Sequence, residues 1–191
     1  STKDNPNIIV FNGELYNYKE IKNKLISLGY SFDSSSDTEV VYFSYLEWGE
    51  RCFEKFEGMF AITIYNEKDD SIKLIRDHLG IKPLYYYCVN NKFISSSELK
   101  VFKEFIKTTL NSDELFNYMR FGFLFGSNTL YKNILEVEPG QIVEINKSNS
   151  KTNKKYFNLS ETFTESKSFS FEEIEELLRR SIKIHLNSDV P

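Results

Sequence analysis

Asn12, Gly13 and Glu14 stand together at the end of the apolar run Ile8-Ile9-Val10-Phe11, and their types suit an oxyanion beside a cationic amine. An amide side chain beside a turn whose backbone N–H groups point outward makes a donor cluster for an oxyanion. The neighbouring carboxylate suits a cationic amine. A plain Asn-Gly turn fits the first two residues at least as well. A second candidate segment is Ser36-Asp37-Thr38-Glu39. An acidic residue there caps a helix, worth about 1 kcal/mol, or faces a cationic ligand, or does both. The third segment is Arg76-Asp77-His78-Leu79-Gly80-Ile81-Lys82-Pro83-Leu84-Tyr85-Tyr86, with a charged pair on a strand, a Gly for a tight bend and a fixed Pro.

Taken in order, these three segments resemble the glutaminase domain of class II glutamine amidotransferases, the asparagine synthetase branch in particular. Gly58-Met59-Phe60-Ala61 and Ser96-Ser97-Glu98-Leu99-Lys100 also resemble family segments. The resemblance runs from about Ile8 to Pro191, strongest through Lys100 and looser between Lys103 and Lys167. It implies an α+β fold, the four-layer αββα sandwich of the N-terminal nucleophile hydrolases, without its first strands. A linker and an amphipathic helix then follow. By the same resemblance Asn12 and Gly13 form the oxyanion hole. Glu14 and Asp37 hold the α-ammonium group of glutamine, with Ser36 close by. The segment from Arg76 to Tyr86 braces the sheet, and no metal ligand is implied.

The family's nucleophile is a Cys at the mature N-terminus, with its own α-amine as base. Only eleven residues precede Asn12 here and the first is Ser1, so this chain alone is expected not to hydrolyse glutamine. Cys52 and Cys88 read as small buried hydrophobes, and His78 and His185 each have a structural reading. At the other end, Ser188-Asp189-Val190-Pro191 resembles the entry to an ATP-pyrophosphatase domain. The resemblance therefore implies a glutaminase domain over 1–158, a linker over 159–169 and the start of the synthetase domain over 170–191. ATP and Mg²⁺ belong to that further domain, where an activated carboxylate is amidated, and no cofactor is expected among these residues. Aspartate is the default acceptor, with other carboxylates such as sugar acids as alternatives. A homodimer is the implied assembly.

Composition bounds these expectations. A chain of 191 residues buries roughly 70% of the surface that its unfolded form exposes, enough for one sizeable core. With 17 Phe and 12 Tyr, sheets are favoured and a disordered tail is excluded. A net charge of −4 gives no reason to expect nucleic acid or an anionic membrane. No apolar run approaches the roughly 20 residues that span a bilayer. Two Cys, far apart, make neither a metal pattern nor a disulfide framework. A soluble protein of the reducing cytoplasm is the expected setting.

The elements that must position these residues follow from pattern. Residues 7–12 read as a buried strand, and Asn17 with Glu20 as a capping box for a helix ending at Gly29. A second helix starts near Ser36 or Asp37 and stops by Gly49. Period-two alternation after Phe56, apolar on both faces, predicts a strand inside a sandwich. Strands at 72–76, 84–89 and 92–95, the last two flanking Asn90-Asn91, complete an antiparallel meander over 58–96. Ser112 opens a helix, Pro139-Gly140 turns into a strand over 141–145, and a polar hairpin spans 147–154. Ser170 and Glu173 form a second capping box. It launches a helix with Ile174, Leu177, Leu178, Ser181, Ile182 and His185 on one face.

The rival from another class is a non-catalytic binding or dimerisation module that keeps the sandwich. An exposed edge at the Val10 strand is expected in either case.

Overall fold

The computed structural model describes residues 6–162 and 168–185. Ser1, the centre of the expected linker and the 188–191 segment lie outside them. In chain order the elements are β1 (Asn7–Leu15), α1 (Tyr18–Ser27), α2 (Asp37–Trp48), β2 (Gly58–Asn66), β3 (Ser71–Arg76), β4 (Tyr85–Val89) and β5 (Lys92–Ser96). There follow α3 (Phe102–Phe105), α4 (Ser112–Phe121), β6 (Ile134–Glu136), β7 (Gln141–Ile145), β8 (Lys151–Lys155) and α5 (Phe171–His185). The chain divides into two compact units, one holding the residues up to Gly13 with Met59–Phe157, the other Glu14–Gly58 with the residues from Asn158 onward.

The first unit contains two antiparallel sheets. A five-stranded sheet has the order β1-β2-β3-β7-β8, and a three-stranded sheet the order β5-β4-β6. β2 and β3 pair from Ala61↔Arg76 to Asn66↔Ser71, and β3 pairs with β7 from Ile72↔Ile145 to Ile75↔Ile142. β4 and β5 meet at Val89↔Lys92, closed by Asn90 and Asn91 at φ of 51° and 58°. Asn tolerates that left-handed backbone, and such a turn matches the natural twist of the strands. Between the sheets Ala61, Leu74, Val143 and Ile145 pack with Leu84, Tyr86 and Val137. Both faces of β2 are largely buried, as its two-sided apolar pattern requires.

The expected meander over 58–96 is corrected here. β2 and β3 lie in one sheet and β4 and β5 in the other, because Asp77–Leu84 carries the chain across the sandwich. Strand alternation reports a buried face but not which sheet supplies it. β1 runs to Leu15 and stands at the sheet edge, with Ile8 and Val10 exposed rather than buried.

In the second unit α1 and α2 place Ile21, Leu25, Val40 and Val41 in a core shared with Cys52, Phe53 and Phe56. Gly29 follows α1 at φ 97°, and Gly49 caps α2. The capping box expected at Asn17 is absent. Its side chain instead donates to the Lys55 carbonyl at 2.9 Å and accepts from the Glu57 N–H at 3.1 Å. Those longer-range bonds outcompete a local cap that only one N–H would use. The capping box of α5 is present and reciprocal, Ser170 N–H to Glu173 at 2.8 Å and Glu173 N–H to Ser170 Oγ at 3.2 Å. Ile174, Leu177, Leu178 and Ile182 of that helix are all exposed. No helix among the described residues is long and apolar enough to cross a membrane.

Candidate active site

Asn12 and Gly13 do not form a turn; they lie within strand β1. Gly13 is required there for approach rather than for dihedral freedom. A Cβ on it would sit 2.2 Å from the Met59 carbonyl oxygen and 2.6 Å from Phe60 Cα, well inside contact distance. The Asn-Gly pair thus marks where two strands run unusually close. Asn12 is exposed, and its Nδ2 donates to Ser97 Oγ at 2.8 Å. A primary amide carries two N–H donors, so one is spent on Ser97 and the other is free of partners among the described residues.

The Arg76-to-Tyr86 segment supports this strand from below by reading backbone. Asp77 is 1% exposed, and its carboxylate accepts four backbone N–H bonds. They come from Phe60 at 3.2 Å, Leu79 at 3.1 Å, and Ile81 and Lys82 at 2.9 Å. The Arg76 guanidinium donates to the Lys82, Val137 and Gly80 carbonyls at 2.9, 2.7 and 2.8 Å, and pairs with Glu136 at 2.7 Å. Gly80, at φ 69°, lets the loop bend around that guanidinium, which a Cβ would touch at 3.1 Å. Phe60, held by Asp77, is the residue against which Gly13 packs.

In the second unit Asp37 is the first residue of α2, and Ser36 is the cap. Ser36 Oγ accepts from the Thr38 N–H at 3.2 Å. The Asp37 carboxylate accepts from the Leu15 N–H at 3.3 Å. It is thereby tied to the peptide unit that follows Glu14. The Glu14 side chain is half-buried and has no hydrogen-bond or ion-pair partner among the described residues. Two carboxylates are thus brought to one end of β1, and no cation among the described residues pairs with Glu14. Ser36 and Asp37 are placed by a residue whose role the sequence reading did not separate, Glu39. Its carboxylate accepts from Asp33 N–H at 3.0 Å and from both Ser34 N–H and Oγ, at 2.9 and 2.7 Å. Burial pushes the Glu39 carboxyl up, but these bonds and the charge of Lys22 bring it below the ordinary value.

The thiols and imidazoles do not compete for the chemistry. Cys52 is fully buried, and burial drives its thiol far above the ordinary range. Burial also raises Cys88, partly offset by the charge of Lys151. Both thiols are protonated at neutral pH and poor nucleophiles. His78 packs edge-on against Phe60, Tyr156 and Phe157. That burial lowers its basicity against the pull of Asp77.

The fold is shared with a solved amidotransferase. A glutamine phosphoribosylpyrophosphate amidotransferase of Bacillus subtilis, solved with ADP and GMP, superposes with a TM-score of 0.57 at 21% identity. The match covers 81% of this chain and 30% of that one. The profile of the family described as glutamine amidotransferase domain matches residues 1–157, and the chain belongs to that family. Among relatives, asparagine synthetase [glutamine-hydrolyzing] 1 of Bacillus subtilis is 36% identical, over 100% of this chain and 30% of that protein. Asparagine synthetase [glutamine-hydrolyzing] 3 of the same organism is 32% identical, over 96% and 30%. The chain therefore spans about 30% of the length of these relatives.

Proposed function

We propose that this chain is the glutaminase portion of a ligase of the asparagine synthetase type, which takes ammonia from glutamine and delivers it to an ATP-activated carboxylate. The observation that carries the reading is the Asn12 amide, oriented by Ser97 and holding one N–H in reserve beside Gly13. In this reading a cysteine thiolate at the mature N-terminus of the whole polypeptide attacks the side-chain carbonyl carbon of glutamine. The oxyanion of the tetrahedral adduct takes its hydrogen bonds from Asn12 Nδ2 and the Gly13 N–H. The α-ammonium group of that cysteine, carrying the proton taken from the thiol, gives it to the leaving nitrogen; collapse then expels ammonia and leaves a thioester, which water cleaves to glutamate. The burial of Cys52, and the raised thiol of Cys88, which is only half-buried rather than buried as expected, support a nucleophile other than these two.

Glu14 and Asp37 hold the α-ammonium group of glutamine, and Ser36 fixes the start of the helix that carries Asp37. The glutaminase portion extends over 1–158. A linker over 159–169 leads to the synthetase portion from 170, where ATP and Mg²⁺ act and aspartate is the default acceptor. The enzyme works as a homodimer. The test is Asn12→Ala in the whole polypeptide. Removing one oxyanion donor costs about 10²–10³ in rate, so glutamine-dependent synthesis is expected to fall by that factor while ammonia-dependent synthesis persists. Equal loss of both would overturn the oxyanion assignment.

A further inference from the structure

We infer that Ser97 is a positioning residue for the oxyanion donor: its hydroxyl sets the turnover of glutamine and leaves glutamine affinity nearly alone. The inference rests on the glutaminase reading given under Proposed function and extends it to a residue outside the oxyanion-hole pair.

The sequence shows Ser95-Ser96-Ser97 as a polar run at the end of a strand, the usual appearance of a solvated edge. The structure gives each hydroxyl a separate partner. Ser95 Oγ lies 3.3 Å from Thr63 Oγ1 on β2. Ser96 Oγ accepts the Glu98 N–H at 3.1 Å, closing the bend that follows β5. Ser97 Oγ accepts from Asn12 Nδ2 at 2.8 Å, 85 positions away along the chain.

The last contact has a consequence for chemistry. The terminal torsion of an Asn side chain is broad and roughly two-fold, so an exposed Asn explores many orientations of its amide plane. A single well-formed hydrogen bond from one of the two N–H groups fixes that plane, and with it the direction of the other N–H. An oxyanion donor stabilises a transition state only when its direction is set before charge develops. Ser97 supplies that setting through Asn12 without touching substrate. Ground-state glutamine needs little from this donor, because the amide carbonyl gains its full negative charge only in the tetrahedral adduct.

The experiment is a double-mutant cycle in the whole polypeptide, with glutaminase kcat and KM measured for Ser97→Ala, Ser97→Cys, Ser97→Thr, Asn12→Ala and Ser97→Ala with Asn12→Ala. A neutral hydrogen bond of this kind is worth about tenfold in rate. Ser97→Ala is expected to lower kcat about tenfold with KM within about twofold. Ser97→Cys keeps the size but is a weak acceptor, and should follow Ala. Ser97→Thr keeps the hydroxyl and should restore most of the rate. In the Asn12→Ala background the Ser97 change should do nothing further, because its lever is gone. Losses that multiply in the double variant, or a Ser97→Ala enzyme with unchanged kcat, would overturn the inference while leaving the glutaminase reading intact. A wild-type polypeptide that hydrolyses no glutamine would overturn both.

Discussion

Asp77→Asn tests whether the loop between the two sheets is held by one carboxylate. Its two oxygens accept four backbone N–H bonds, Oδ1 from Leu79 and Ile81, Oδ2 from Phe60 and Lys82. Asn keeps one acceptor oxygen and turns an NH₂ group toward two N–H donors. Two bonds are lost, and donors then face donors in a site that is 1% exposed. A buried donor left unsatisfied costs about 1–3 kcal/mol, so the substitution should cost about 3 kcal/mol. For a chain of this size that corresponds to a fall in Tm of about 10 °C. Urea denaturation followed by circular dichroism reads the loss, with Asp69→Asn on the exposed β2–β3 turn as the control. Because Phe60 is the residue against which Gly13 packs, the glutaminase activity proposed for the whole polypeptide should fall as well. A variant within about 0.5 kcal/mol of wild type would refute the reasoning, since it would mean that water or other groups satisfy those N–H donors equally well.

Gly13→Ala should cost about 3 kcal/mol, since a Cβ placed 2.2 Å from the Met59 carbonyl oxygen forces β1 away from β2; thermal denaturation checks it. Glu14→Gln should raise the glutamine KM about tenfold, the value of a charged hydrogen bond, with a smaller change in kcat; steady-state glutaminase kinetics decide, and an unchanged KM removes Glu14 from the ammonium site. His78 gives a pH dependence of definite sign. Its folded basicity lies below the unfolded value of about 6.5, mainly through burial, so the unfolded chain takes up the proton first. Stability should therefore fall as pH drops through about 6.5. Substituting His78→Phe, which keeps the edge-on ring contacts, should flatten that dependence in melts between about pH 7.5 and 5.5.

Much of the scaffold was legible from local pattern. The two-sided apolar β2, the Asn90-Asn91 hairpin, the Gly49 stop and the reciprocal cap of α5 are each fixed by residues within a few positions, and each appears as expected. The misses share a different cause. Asn12-Gly13 carries the letters of a turn, yet Gly13 serves the approach of a neighbouring strand 46 positions away, at Met59. Asn17 carries the letters of a cap, yet bonds Lys55 and Glu57. The crossing from one sheet to the other after Arg76 depends on bonds to Phe60 and Val137, which spacing along the chain does not encode. β6, three residues long, is too short for any period to show. At the candidate site, the family resemblance rather than residue type singled out Asn12, Gly13, Glu14, Ser36 and Asp37; Ser97 and Glu39 show themselves only through bonds to Asn12, Asp33 and Ser34, and their letters are common on any solvated surface.

The Asp77 turn also dictates which substitutions the loop can absorb. Its carboxylate grips the main-chain N–H of positions 79, 81 and 82, while the side chains of Leu79 and Ile81 are 62% and 52% exposed. Side-chain identity there is close to irrelevant to the grip, so residues 79 and 81 should drift freely among polar and apolar types over evolutionary time. Proline is the exception at all three, since it alone brings no N–H. In a saturation library positions 79 and 81, unlike Gly80 between them, should therefore look permissive at every letter but one, an asymmetry that marks a turn recognised by its backbone.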